Sequence, residues 1–123
     1  MPKILSYLKK RDLMHNPNAV VDEITQYGWD YLKQDRLVDA LDFFEKAGDQ
    51  EGILRIKDLS LEQGDPFLLQ HTSKLLQEPV PDTSWKKVGE KALADGRYLQ
   101  ALTAFKALAD EEKIQEIKTL MRN

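Results

Sequence analysis

The chain has 123 residues and no cysteine, and its 18 basic and 21 acidic residues leave a net charge of −3. That length suits one domain, residues 1–123, able to bury about two thirds of its unfolded surface, and the missing thiols exclude disulfides, thiolate metal sites and a cysteine nucleophile. Both signs of charge are interspersed through both halves, which argues against nucleic acid because phosphate binding needs concentrated Lys and Arg.

At the start, Ile4, Leu5, Tyr7 and Leu8 are apolar beside the basic Lys3, Lys9, Lys10 and Arg11. The run is too short for a signal peptide, and nowhere do about 18 apolar residues run together to span a bilayer. A soluble, cytoplasmic protein is expected. The segment reads as a short helix that docks on the first repeat, with no membrane contact, since Phe67, Leu68, Leu69, Leu75 and Leu76 form a similar leading stretch further on.

Val20, Ile24, Tyr27, Gly28, Tyr31 and Leu32 keep to one face of a helix whose start is expected at Asn16 and Pro17. A second helix carries Leu37, Ala40, Leu41, Phe44 and Ala47 and stops at Gly48, and a third carries Ile53, Ile56 and Leu59 before Gly64. Asp65 and Pro66 give another start signal. After the linker Glu78-Pro79-Val80-Pro81-Asp82, helix again follows helix through Trp85 to Leu93, Tyr98 to Leu108 and Ile114 to Met121. No segment alternates at period two, so no sheet is expected.

Residues 28–60 reappear without a gap at 89–121, and 12 of the 33 pairs are identical, among them Gly28/Gly89, Arg36/Arg97, Ala40/Ala101, Phe44/Phe105 and Asp49/Asp110. The chain is an internal duplication with repeats at 1–64 and 65–123. A repeat buries its apolar face against a neighbour, so the matched residues speak to packing. Gly89 and Ala101 are small where two helices cross, with Trp85 and Phe105 expected to fill the space at the ends. The shared cations Arg36/Arg97 follow the first helix of each pair and Lys57/Lys118 share a place on the third, with capping as their expected role, and Asp49 or Glu51, repeated as Asp110 and Glu112, is expected at the start of the third helix.

The stretch from Trp85 to Phe105 resembles a tetratricopeptide helix pair, with Trp85, Gly89, Ala92, Gly96, Tyr98, Ala101 and Phe105 at that family's spacing. It is also similar to helix pairs of vesicle-coat and intraflagellar transport proteins. Gly28, Tyr31, Ala40, Phe44 and Ala47 hold the corresponding places in the first copy, where Ile24, Asp35 and Leu37 replace the tryptophan, the turn glycine and the tyrosine. The period of 61 residues and the third helix after each pair depart from the family's 34-residue rhythm. The resemblance implies an all-α, right-handed helical repeat array, a tetratricopeptide-like α-α superhelix of about eight helices in two similar halves.

It also implies a protein partner, identity open, bound without enzymatic chemistry. The family's clamp for a C-terminal carboxylate is not expected, since Trp29 and Glu90 stand where an asparagine is needed. Trp29, off the core stripe, is a candidate partner-binding residue, and so is Phe43, whose counterpart is Ala104; each could instead pack beneath a neighbouring helix. A self-associating structural protein, a homo-oligomer, is the alternative, and a small-ligand binder or enzyme a more distant one. His15 and His71 are the only histidines and have no paired carboxylate at metal-ligand spacing, Ser6, Ser60, Ser73 and Ser84 have no local base, and no phosphate loop exists. No catalytic residue, metal or cofactor is expected.

Overall fold

The computed structural model describes residues 5–123, so Ile4 of the leading stretch lies outside the described residues. Those residues form eight α-helices and no strand: α1 (Tyr7–His15), α2 (Val21–Lys33), α3 (Leu37–Ala47), α4 (Gln50–Gln63), α5 (Pro66–Leu75), α6 (Asp82–Ala94), α7 (Tyr98–Ala107) and α8 (Glu111–Arg122). They divide into two compact units, the first ending at Ile56 and the second running Lys57–Asn123, with the boundary inside α4.

Each unit is built on a helix hairpin, α2 with α3 and α6 with α7. The repeated glycine and phenylalanine meet at each crossing: a Cβ added to Gly28 would lie 2.5 Å from the Phe44 ring, and one added to Gly89 would lie 2.9 Å from that of Phe105. Phe105 therefore lies on Gly89 instead of filling the end of the crossing. Ala40 and Ala101 are fully buried on the second helix of each hairpin. In the first unit Gly52 of α4 also abuts the Phe44 ring. In the second, Ile114 and Ile117 of α8 join Ala92, Ala101, Leu102 and Phe105 in one cluster, while Leu69 of α5 joins Trp85, Val88 and Ala104 in another.

The joints between helices repeat one closure. From α2 onward every pair of consecutive helices is joined through a residue with φ between 55° and 74°, namely Asp35, Gly48, Gly64, Gln77, Gly96 and Ala109. At each, the amide of the next residue donates to the carbonyl five residues back, at 2.8 to 3.1 Å: Arg36 to Tyr31, Asp49 to Phe44, Asp65 to Ser60, Glu78 to Ser73, Arg97 to Ala92 and Asp110 to Phe105. This ties off carbonyls that a helix end leaves open. Gly96 serves the expected reversal, and in the first copy Asp35 adopts the same left-handed conformation with a side chain attached.

Helix starts follow the sequence with one exception. Asp65 accepts from the Phe67 and Leu68 amides with Pro66 in the first turn; Asp110 accepts from Lys113 at 3.1 Å, and Asp49 from Gly52 at 3.3 Å. Asn16 and Pro17, however, do not begin α2. Asn16 ends α1, its Oδ1 accepts from the Asn18 amide, and Val20 precedes the first turn. An Asn-Pro pair serves a turn as readily as a cap.

Alanine in place of a helical glycine ordinarily stabilises by about 1 kcal/mol. At Gly28 and Gly89 the sign reverses, because the added methyl meets a buried ring: both Gly→Ala variants are expected to lose about 1 to 3 kcal/mol in urea denaturation, as are Ala40→Leu and Ala101→Leu. Ala109→Gly relieves a left-handed alanine that costs about 1 to 2 kcal/mol, and a rise in thermal midpoint is expected even after the flexibility glycine adds to the unfolded chain.

Candidate functional site

Phe43 is fully buried. Its ring stacks on Tyr31 at 5.1 Å, lies 5.6 Å from Tyr27, and carries Lys10 of the leading helix 5.5 Å from its centroid. Such a residue has no surface with which to meet a partner, so Phe43 serves the packing of the first unit. The signal was present in the duplication: where the second copy has a large Trp85 and a small Ala104 in one cluster, the first has the smaller Ile24 and the larger Phe43, both buried. Volume lost at one buried position is regained at another.

Trp29 is half-buried. Its indole meets the Phe44 ring edge-on at 5.0 Å, and part of it remains open to solvent. The structure thus separates the two candidate residues.

Within the first unit the leading helix attaches to α2 and α3 through polar groups. No residue of α1 is buried. Lys10 Nζ bridges Asp39 at 2.7 Å and Asp42 at 2.8 Å, both on α3, and the Leu5 amide donates to the Tyr31 hydroxyl at 2.9 Å. Arg36, stacked 4.8 Å over the Tyr31 ring, also pairs with Asp39. Desolvation works against the Lys10 ammonium, but hydrogen bonds to Asp39 and Asp42 and their charges outweigh it and raise its pKa. Desolvation likewise opposes the Asp39 carboxylate, and the Lys10 hydrogen bond with the charges of Lys10 and Arg36 overcomes it, so its pKa is lowered.

The repeated arginines do different work in the two copies. Arg97 donates to the Gly64 carbonyl at 2.9 Å and the Gln63 carbonyl at 2.7 Å, closing the end of α4, whereas Arg36 bonds Asp39. Lys57 pairs with Glu78 at 3.0 Å.

One surface feature is itself duplicated. Val38 and Leu99 occupy the same position on α3 and α7 and are 64% and 68% exposed. Beside Leu99, an open groove of about 580 Å³ is lined by Arg97, Tyr98, Gln100, Leu120, Met121 and Asn123. His15 and His71 are both exposed. Among the described residues no group of three His, Cys, Asp or Glu side chains could hold a metal, and no helix is long and apolar enough to cross a membrane. The chain matches no protein-family model, and no curated protein or solved structure is significantly similar to it.

The Lys10 bridge gives a pH window. Asp39, with a lowered pKa, contributes stability that is complete above the ordinary carboxylate value and is lost as pH falls through its own; Lys10, with a raised pKa, contributes below the ordinary lysine value and loses it as pH rises further. The bridge is thus whole from about pH 5 to pH 10. In NMR titration the α1 amides are expected to move toward unstructured shifts under acid before those of α3, and Lys10→Met should produce the same shift at neutral pH. Unmoved α1 signals in that variant would remove the bridge as the attachment.

Proposed function

We propose that this chain is a non-enzymatic protein-binding module, a scaffold or adaptor built from tetratricopeptide-like helical pairs in a right-handed array, and that it works in the cytoplasm without a cofactor. The observation that carries the reading is the duplicated exposure of Val38 and Leu99. A large apolar side chain left in water at the same place in both copies of a packing unit gains nothing for the fold. It gains apolar burial when a partner covers it.

Trp29 supports the same reading. Its partly open indole offers the amphipathic aromatic surface that interfaces favour, on α2 where it meets the Phe44 ring edge-on. The interiors of both hairpins are apolar around their glycine–phenylalanine crossings, which suits a scaffold whose outer face carries the recognition. The carboxylate clamp of tetratricopeptide proteins is not part of the proposal, because Trp29 and Glu90 occupy its key place.

Affinity capture from lysate of the source cells is expected to recover a protein in stoichiometric amount. The double variant Val38→Ser/Leu99→Ser should reduce that recovery at least about tenfold, the loss of two buried anchors, with its helical circular dichroism unchanged. Trp29→Ala should weaken recovery too, at some cost in thermal midpoint through the lost Phe44 contact. Capture that is equal for all variants would reject this face.

A further inference from the structure

The leading helices of the two copies turn different faces inward. On α5 the buried residues are Leu68, Leu69, Thr72 and Ser73, with Pro66 in the first turn. Their counterparts on α1, 61 residues back, are Tyr7, Leu8, Arg11 and Asp12, and all four are exposed. Lys10, Leu13 and Met14 are half-buried instead. The Lys10 side chain is 17% exposed, while Tyr7 and Leu8 are 78% and 58% exposed. A helix kept for its apolar burial would do the reverse.

The groups that receive the lysine belong to α2 and α3, and to this copy alone. Asp39 and Asp42 accept from Lys10 Nζ at 2.7 and 2.8 Å, and the Phe43 ring lies beneath it at 5.5 Å. The Tyr31 hydroxyl accepts from the Leu5 amide at 2.9 Å and donates to the Leu5 carbonyl at 3.3 Å. In the second copy the places of Asp39, Asp42, Phe43 and Tyr31 are held by Gln100, Thr103, Ala104 and Ala92. The cluster is therefore no part of the duplicated packing scheme. Two carboxylates around one nitrogen above an aromatic ring suit an ammonium, a compact charge with three donors. A hydroxyl that bonds only main chain accepts any residue there.

We infer that this seat is a docking site for a lysine-bearing helix of a partner protein, and that α1 is its built-in occupant, which the partner displaces. Charge complementarity selects the occupant: the seat is acidic, and the segment it holds, Lys9-Lys10-Arg11, is basic. α1 is suited to leaving, because none of its residues is buried and ion pairs partly open to water hold weakly. What retains it is the short segment 16–20, which joins it to α2 and keeps its local concentration high. The partner's apparent affinity is thus lowered by the fraction of molecules in which α1 is seated.

This inference deepens the reading of the chain as a protein-binding module, but its test uses the purified chain and synthetic peptides, so a failed capture from lysate leaves the result untouched. The probe is a capped, fluorescent peptide of residues 5–15, followed by anisotropy. Lys10→Glu in the chain repels α1 from Asp39 and Asp42 and opens the seat, and this variant is expected to bind the peptide at least about tenfold more tightly than the wild-type chain does. Adding Asp39→Asn and Asp42→Asn to the opened chain should cost at least about tenfold, as should Lys10→Gln in the peptide. A second peptide with alanine at Tyr7, Leu8 and Asp12 should bind as well as the first, because those side chains point away from the seat. The inference is overturned if the opened chain binds no peptide or binds no better than wild type, or if binding survives loss of the aspartates or of the lysine. Failure of the alanine peptide restricts the seat to α1 itself and overturns the partner, as does a wild-type chain that sediments as a dimer, which makes α1 of a second copy the occupant. If circular dichroism shows that Lys10→Glu loses more helix than α1 contains, Lys10→Gln in the chain repeats the test.

Discussion

A phenylalanine ring laid against a backbone that carries no Cβ governs both halves of this molecule. Two helices whose facing residues were both of ordinary size would stand about 8 to 10 Å apart. Glycine on one helix lets the ring of the other lie directly on the main chain, as Gly28 does for Phe44 and Gly89 for Phe105. The ring fills the space the missing side chain leaves, so close packing and burial are achieved together. Alanines at 40 and 101 are compatible with that approach, and larger residues are not.

Around this fixed contact the copies have diverged in ways that conserve volume. Trp85 with Ala104 and Ile24 with Phe43 are two solutions to the same interior. Each has its own neighbours: in the second copy α5 brings Leu69 to the tryptophan, and in the first α1 brings Lys10 over the phenylalanine. The difference in chemistry matters. An apolar contact of the Leu69 kind is indifferent to salt, whereas a helix secured by Lys10 between two aspartates responds to it.

Much of this was legible in the sequence. Helical periodicity marked α2 to α4 and α6 to α8, short apolar stretches marked α1 and α5, and glycines marked three of the six left-handed joints. Asp35 and Ala109 were invisible taken singly, because a left-handed aspartate or alanine leaves no compositional sign; alignment with Gly96 and Gly48 across the duplication identifies both. Gln77 has no such guide, since its counterpart Asn16 lies in a joint of another kind. Asn16 and Pro17 misled because the same dipeptide ends one helix and could begin another. Of the candidate site, Trp29 kept a partly open surface while Phe43 belonged to the interior, a distinction that depends on which helix packs over each ring. The exposed pair Val38 and Leu99 went unmarked, since exposure of a single aliphatic residue on a helix carries no signal until both copies show it.

The uniform joints bear on how the chain finds its fold. Each closure is completed within six residues, and each hairpin pairs helices that are neighbours in sequence, so the stabilising contacts are local and little chain entropy is lost before they form. Contacts of this local kind favour rapid folding, and a defect in one hairpin should leave the other able to assemble.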